Sequence, residues 1–143
     1  MPIEKLKSKL YAPLPSEAIS QHPTKTFLSS IKGIYVTERF NEVFGIGKWT
    51  TKVEKVGEYP PASAKMGPMV VVKVIFEVPG EGIYYESYGG NDNADVGDAY
   101  KGATTDALTK IGSYLGIGMD VYKGKKTGPN GVGDMDKAPD FTI

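Results

Sequence analysis

The ten residues Met69–Val78, MVVVKVIFEV, restrict the fold of this chain more than any other segment, because seven of them are valine, isoleucine or phenylalanine. Branched and aromatic side chains lose rotamer freedom in a helix and fit the pleated surface of a sheet, so the run predicts a strand. A short turn, Pro79–Gly82, separates it from IYYESY, Ile83–Tyr88, and the two segments predict a hairpin. Upstream, Trp49–Val56 alternates and is rich in β-branched residues, and the proline- and glycine-rich stretch EYPPASAKMGP joins it to the hairpin. Three antiparallel strands follow.

Helical patterns flank the strands. Ile3, Leu6 and Leu10 recur at helical spacing, and Pro13 and Pro15 break the pattern. Ser16 caps a brief turn through Ile19, which Pro23 closes. From Gly33 to Phe44, Val36, Phe40, Val43 and Phe44 form one apolar stripe, and Gly45 stands where a left-handed cap belongs. After the strands, Asp92, Asp95 and Asp98 precede GDAYKGATTDALTKIGSYLG, and acidic residues suit the start of a helix. Ala99, Ala103, Ala107 and Ile111 recur every fourth residue of that segment, and an alanine face lets a helix lie close against a sheet. The pattern is α+β: a three-stranded antiparallel sheet flanked by helices, an α-β-β-β-α core with a short N-terminal helix. Residues 1–126 read as one domain, and Thr127–Ile143, with glycine, proline and aspartate and little to bury, as a flexible acidic tail able to dock a replication or recombination partner.

The 143 residues carry 17 basic and 17 acidic side chains, but the signs are segregated. Met1–Val56 holds nine basic residues against five acidic, Gly57–Tyr100 two against seven, Lys101–Lys126 five against two, and the tail one against three. Two basic blocks are therefore split by an acidic one, and they form a positive groove if they meet. The lack of cysteine excludes disulfides, thiolate zinc sites and cysteine nucleophiles. No apolar run approaches the ~20 residues that cross a bilayer, so a soluble, cytoplasmic protein without membrane contact is expected.

Catalytic constellations fail one after another. His22 is the only histidine, which rules out histidine metal clusters and leaves no convincing Ser/His/Asp triad. NDNADVGD looks like a calcium loop, yet the sixth position from Asn91 is Val96 and the twelfth is Gly102, where glycine and glutamate are required. Lys101 is cut off from the preceding glycines by acidic residues, so no phosphate loop is encoded. Glu77, Glu81, Glu86 and Asp92 have no spacing that singles out a magnesium site. A non-enzymatic protein without cofactors remains, with interleaved lysines and aromatic rings that suit single-stranded nucleic acid. Tyr84, Tyr85 and Tyr88 read as half-buried strand residues and Trp49 as core.

Two segments then carry a family likeness. IKGIYVTERFNEVFGIGKW, with Asn41, Glu42, Phe44, Gly45 and Trp49, resembles the helix and turn of the Rad52/Rad22 single-strand annealing proteins. YYESYGG followed by GDAYKGATTDALTKIGSYLG is similar to that family's acidic hairpin strand, glycine turn and helix with a TDAL or TDGL core, here Thr105, Asp106, Ala107 and Leu108. With APLPSEAIS the resemblance spans Leu6–Lys123, and the GIGMDVYKGK ending looks like the small phage and bacterial members, which implies a bacterial or phage-infected host cell. It implies a ring-forming homo-oligomer that lays single-stranded DNA along a positive groove and promotes annealing in recombination and repair without ATP. Neighbours in a ring would cover a strand as apolar as MVVVKVIFEV, although a private core is the simpler solution.

The expected DNA contacts are Lys32, Tyr35, Arg39, Lys48, Lys101, Lys110 and Lys123. Lys32, Tyr35 and Arg39 share one helical stripe, with Tyr35 placed to stack on a base. Family members carry basic residues after the TDGL core; here Lys110 stands alone between Thr109 and Ser113. Lys101 and Lys110 are nine residues apart, about two and a half turns at roughly 3.6 residues each, so they occupy different faces. Lys110 is expected in the inner groove, with Lys101 and Lys123 on a second surface. Two other readings compete: a double-stranded-RNA-binding-like module, against which Asp95 and Asp98 at the helix start argue electrostatically, and a structural oligomer without nucleic acid. A metal-dependent nuclease comes last.

Overall fold

The computed structural model describes residues 3–21 and 29–124. His22, Pro23 and the tail 127–143 lie outside the described residues. The chain divides into two compact units, one made of the described residues up to Val43 and from Gly112 on, the other of Phe44–Ile111.

The Phe44–Ile111 unit holds an antiparallel sheet of β3 (Thr50–Tyr59), β4 (Met69–Val78) and β5 (Ile83–Asp92) in the order β3-β4-β5. It is preceded in the chain by two three-residue strands of the other unit, β1 (Ile19–Gln21) and β2 (Ser29–Ile31). β4 lies in the middle, so the most apolar strand has both edges paired and no neighbouring copy is needed to cover it. Val70, Val72, Val74, Phe76 and Val78 are buried on one face, while Val71, Lys73 and Ile75 are half-buried on the other. At about 1.5–3 kcal/mol for each large apolar side chain removed from water, this row dominates the unit's core. The Trp49 and Phe44 rings pack on Phe76 with centroids 5.8 and 6.2 Å away, so Trp49 serves the core.

β3 continues three residues beyond the expected end at Val56. Lys55 pairs with Val72 and Gly57 with Val71, so a bulge absorbs Val56 and the pairing resumes as far as Tyr59. β5 also outlasts its sequence signal: after Tyr88 it runs through Gly89 and Gly90 to Asp92, paired with β4 throughout. Helix α3 (Val96–Tyr114) explains the first of these glycines. Ala99, Ala103, Ala107 and Ile111 are fully buried, and a Cβ on Gly89 would overlap the Ala103 carbonyl oxygen and press on the Ala107 amide nitrogen. The alanine stripe and Gly89 are two halves of one contact, in which helix backbone meets strand backbone. The first turn of α3 is capped by Asp95, whose Oδ1 accepts the Asp98 amide at 3.1 Å.

In the other unit a 3-10 turn, Ile3–Leu6, leads into α1 (Lys7–Tyr11), and Leu6, Leu10 and Leu14 are buried. A second 3-10 turn, Ser16–Ala18, enters β1 (Ile19–Gln21), which pairs antiparallel with β2 (Ser29–Ile31). This small sheet was not expected: strands of three mostly polar residues show no alternation, and only their mutual backbone hydrogen bonds define them. Helix α2 (Gly33–Phe44) has the expected bounds, with Val36 and Phe40 buried. The last turn of α3 ends in a left-handed Gly116 (φ +105°), with the Ile117 amide donating to the Gly112 carbonyl at 2.9 Å and the Gly116 amide to Ser113 at 3.0 Å. The Tyr11 ring lies against Gly116 and leaves no room for a Cβ there. A short helix, α4 (Met119–Tyr122), follows.

Candidate nucleic-acid interface

Seven residues were expected to meet DNA, and each has a distinct setting. Lys32 is exposed immediately before α2, its backbone amide bonded to the Ala18 carbonyl at 2.8 Å. Tyr35 is half-buried in the first turn of α2. Lys123 is exposed at the end of α4. Lys48 is exposed in the turn after α2, its amide 3.1 Å from the Gly45 carbonyl. Among the described residues Lys32, Lys48 and Lys123 form no ion pair, so their ammonium groups are available to phosphate. Lys101 is exposed on α3, and its ammonium approaches Asp98 at 3.8 Å.

Arg39 is held by backbone carbonyls of the N-terminal segment. Its guanidinium donates to the carbonyls of Lys9 (3.0 Å) and Ala12 (2.8 Å), with longer bonds to Leu10 and Pro13 at 3.4 Å each. These carbonyls surround the C-terminus of α1, whose last oxygens have no helical partner, so the planar fork of Arg39 acts as a cap for that helix. The open hollow beside it, about 270 Å³, is lined by Lys9, Ala12, Arg39, Glu42 and Val43.

Lys110 also has another occupation. Its ammonium is 3.2 Å from Asp106 Oδ2 and 3.2 Å from the Tyr88 carbonyl, while the same carboxylate oxygen accepts the Gly90 amide at 3.0 Å. Lys101 and Lys110 do lie on different faces, as their spacing requires. Thr109 and Ser113, on either side of Lys110 in the chain, are buried. Asp106 is the residue whose role the motif alone concealed. The signal was present in its i,i+4 relation to Lys110, a spacing that brings opposite charges together on a helix.

Tyr84 and Tyr88 are 53% and 58% exposed, contrary to the half-buried setting expected for them. They stand on the sheet face that carries Glu54, Glu77 and Glu86 together with Lys52 and Lys73. Tyr84 donates to Glu86 Oε2 at 2.6 Å, and Lys73 bridges Glu86 (3.2 Å) and Glu54 (3.6 Å). The Tyr84 hydroxyl first, and Lys73 second, hold the Glu86 carboxyl below its ordinary value. Bonding to Glu86 raises both Lys73 and Tyr84 above theirs. A depressed carboxyl stabilises the fold above its unfolded value and loses that contribution as pH falls through the folded one. The raised lysine and tyrosine act below their unfolded values and lose theirs as pH rises through the folded ones. The network therefore contributes fully between the ordinary values of 4.5 for the carboxyl and 10.0 for the phenol. Tyr84→Phe is expected to move the Glu86 titration midpoint upward in a carboxyl NMR titration; an unmoved midpoint would refute the bond.

Among the described residues, no three of His, Cys, Asp and Glu are grouped so as to hold a metal ion, and no helix is long and apolar enough to cross a membrane. A family model described as Rad52/22 family double-strand break repair protein matches residues 2–129, most of the chain. No curated protein matches it significantly.

Proposed function

Because the chain belongs to the Rad52/22 family of double-strand break repair proteins, which ties it to DNA repair and recombination, we propose that it binds single-stranded DNA and anneals complementary strands without ATP, metal or catalysis. The observation that carries this reading is the set of exposed lysines Lys32, Lys48 and Lys123, whose charges no acidic group neutralises among the described residues. In a chain of zero formal charge, segregation of the signs leaves cations free for phosphates. Tyr35, three residues after Lys32, supplies a ring for stacking, and Lys101 a further cation once Asp98 releases it. Annealing belongs to residues 1–126, and the acidic tail 127–143 docks a protein partner. The protein works in the cytoplasm as a homo-oligomer, with a ring as its assembled form. Val53 and Val56, about half exposed on β3, support self-association through side chains.

Fluorescence anisotropy with an unstructured oligonucleotide tests the reading, together with annealing of complementary strands in the absence of ATP and metal. Binding is expected to weaken with salt by roughly 0.7 logarithmic units per decade for each phosphate neutralised. Single alanine substitutions at Lys32, Lys48 or Lys123 are expected to lower that slope by about 0.7 each, whatever the oligonucleotide sequence. No binding at low salt would overturn the proposal. Light scattering reads the assembly state, and a monomer at working concentration would remove the ring.

A further inference from the structure

Every sheet edge left bare is a template for another chain, and the β5 edge has an unusual occupant. The Gly90 amide and the Tyr88 carbonyl flank Gly89 on the side of β5 turned away from β4. A neighbouring strand would offer them one acceptor and one donor. Here Asp106 Oδ2 supplies the acceptor at 3.0 Å and the Lys110 ammonium the donor at 3.2 Å, while the two side chains pair with each other at 3.2 Å. We propose that Asp106 and Lys110 together stand in for a strand, closing this stretch of β5 to strand addition by a second copy of the chain, and that this is what Lys110 does in place of a phosphate contact.

Three features make the guard fit its position. Gly89 and Gly90 have no side chains to obstruct an incoming strand, so this is where the edge most needs closing. Gly89 is pressed against the backbone of α3 at Ala103 and Ala107, which holds the i,i+4 pair opposite the two backbone groups. Mutual pairing leaves no net charge at the edge. The opposite edge of the sheet is defended differently, by the bulge at Val56 and by Lys52 and Lys55 on β3.

The inference stands apart from DNA binding, and its test separates the two. Hydrogen-exchange mass spectrometry on the full chain follows the peptide spanning 86–92, while light scattering follows assembly and anisotropy gives the salt slope for DNA. Asp106→Ala, which removes the acceptor of the Gly90 amide, is expected to speed exchange there about tenfold, the loss of one charge-assisted hydrogen bond, whereas Lys110→Ala removes only the donor to the Tyr88 carbonyl and leaves that amide bonded. Both are expected to grow β-rich assemblies as concentration rises. Lys110→Gln, which keeps a donor for Tyr88 without the charge, is expected to assemble less than Lys110→Ala. The salt slope of Lys110→Ala is expected to match the parent. Unchanged assembly of Lys110→Ala with a slope lowered by roughly 0.7 would make Lys110 a phosphate contact and overturn the guard. Should Asp106→Ala fail to fold, the two Lys110 variants decide: equal assembly of Lys110→Ala, Lys110→Gln and the parent across the concentration range would also overturn it.

Discussion

Valine in place of Gly89 is expected to unfold the Phe44–Ile111 unit or cost it about 3 kcal/mol or more, the upper end of what overpacking does. A Cβ at this position overlaps the carbonyl oxygen of Ala103, which is backbone, so no rotamer change and no trimming of the alanine relieves it. Either α3 lifts from the sheet, uncovering Val70, Val72 and Val74, or β5 leaves β4. Against a total of roughly 5–15 kcal/mol, such a loss dominates the unfolding curve. Gly90→Ala is the control: its Cβ would meet the Met69 side chain and the Val70 carbonyl no closer than 3.7 Å, ordinary contact. That variant is expected to stay within about 1 kcal/mol of the parent. Urea unfolding of both distinguishes them, and equal midpoints would refute the backbone-to-backbone contact.

Arg39→Ala is expected to destabilise the chain by about 1.5–3 kcal/mol, the range for hydrogen bonds made by a charged group. The variant leaves the Lys9 and Ala12 carbonyls without their donor at the end of α1. Arg39→Lys is expected to recover part of the loss, since an ammonium reaches fewer of the four carbonyls than a planar fork does. Trypsin cleavage after Lys7 and Lys9 is expected to accelerate as α1 detaches, while the salt dependence of DNA binding stays unchanged. Unaltered unfolding together with a lower salt slope would return Arg39 to the DNA-contacting set.

Patterning made the larger elements legible. Met69–Val78 and Gly33–Phe44 have the bounds that their hydrophobic periods required, because both patterns repeat over enough residues to exclude the other structure. β1 and β2 were invisible for the opposite reason, each having only three residues. The far ends of β3 and β5 were missed because a bulge and two glycines interrupt the alternation while the ladder continues past them. Of the expected site, Lys32, Lys48, Lys101 and Lys123 are exposed. The carbonyl bonds of Arg39 and Lys110 were not legible in the sequence, because those acceptors lie more than 20 residues away, although the i,i+4 spacing of Asp106 and Lys110 was visible.

The TDAL segment illustrates the division. From the sequence alone came a helix with an alanine face, its acidic start, its glycine end and the likeness to one family, because these depend on local periodicity and on residues read in order. Tertiary structure alone decided that Asp106 and Lys110 meet the edge of β5, that Thr109 and Ser113 are buried, and that Gly89 must lack a side chain. A charge in a sequence has no address. Whether it meets a phosphate or a carbonyl depends on which backbone the fold brings within about 3 Å of it, and that distance is set by packing across the chain.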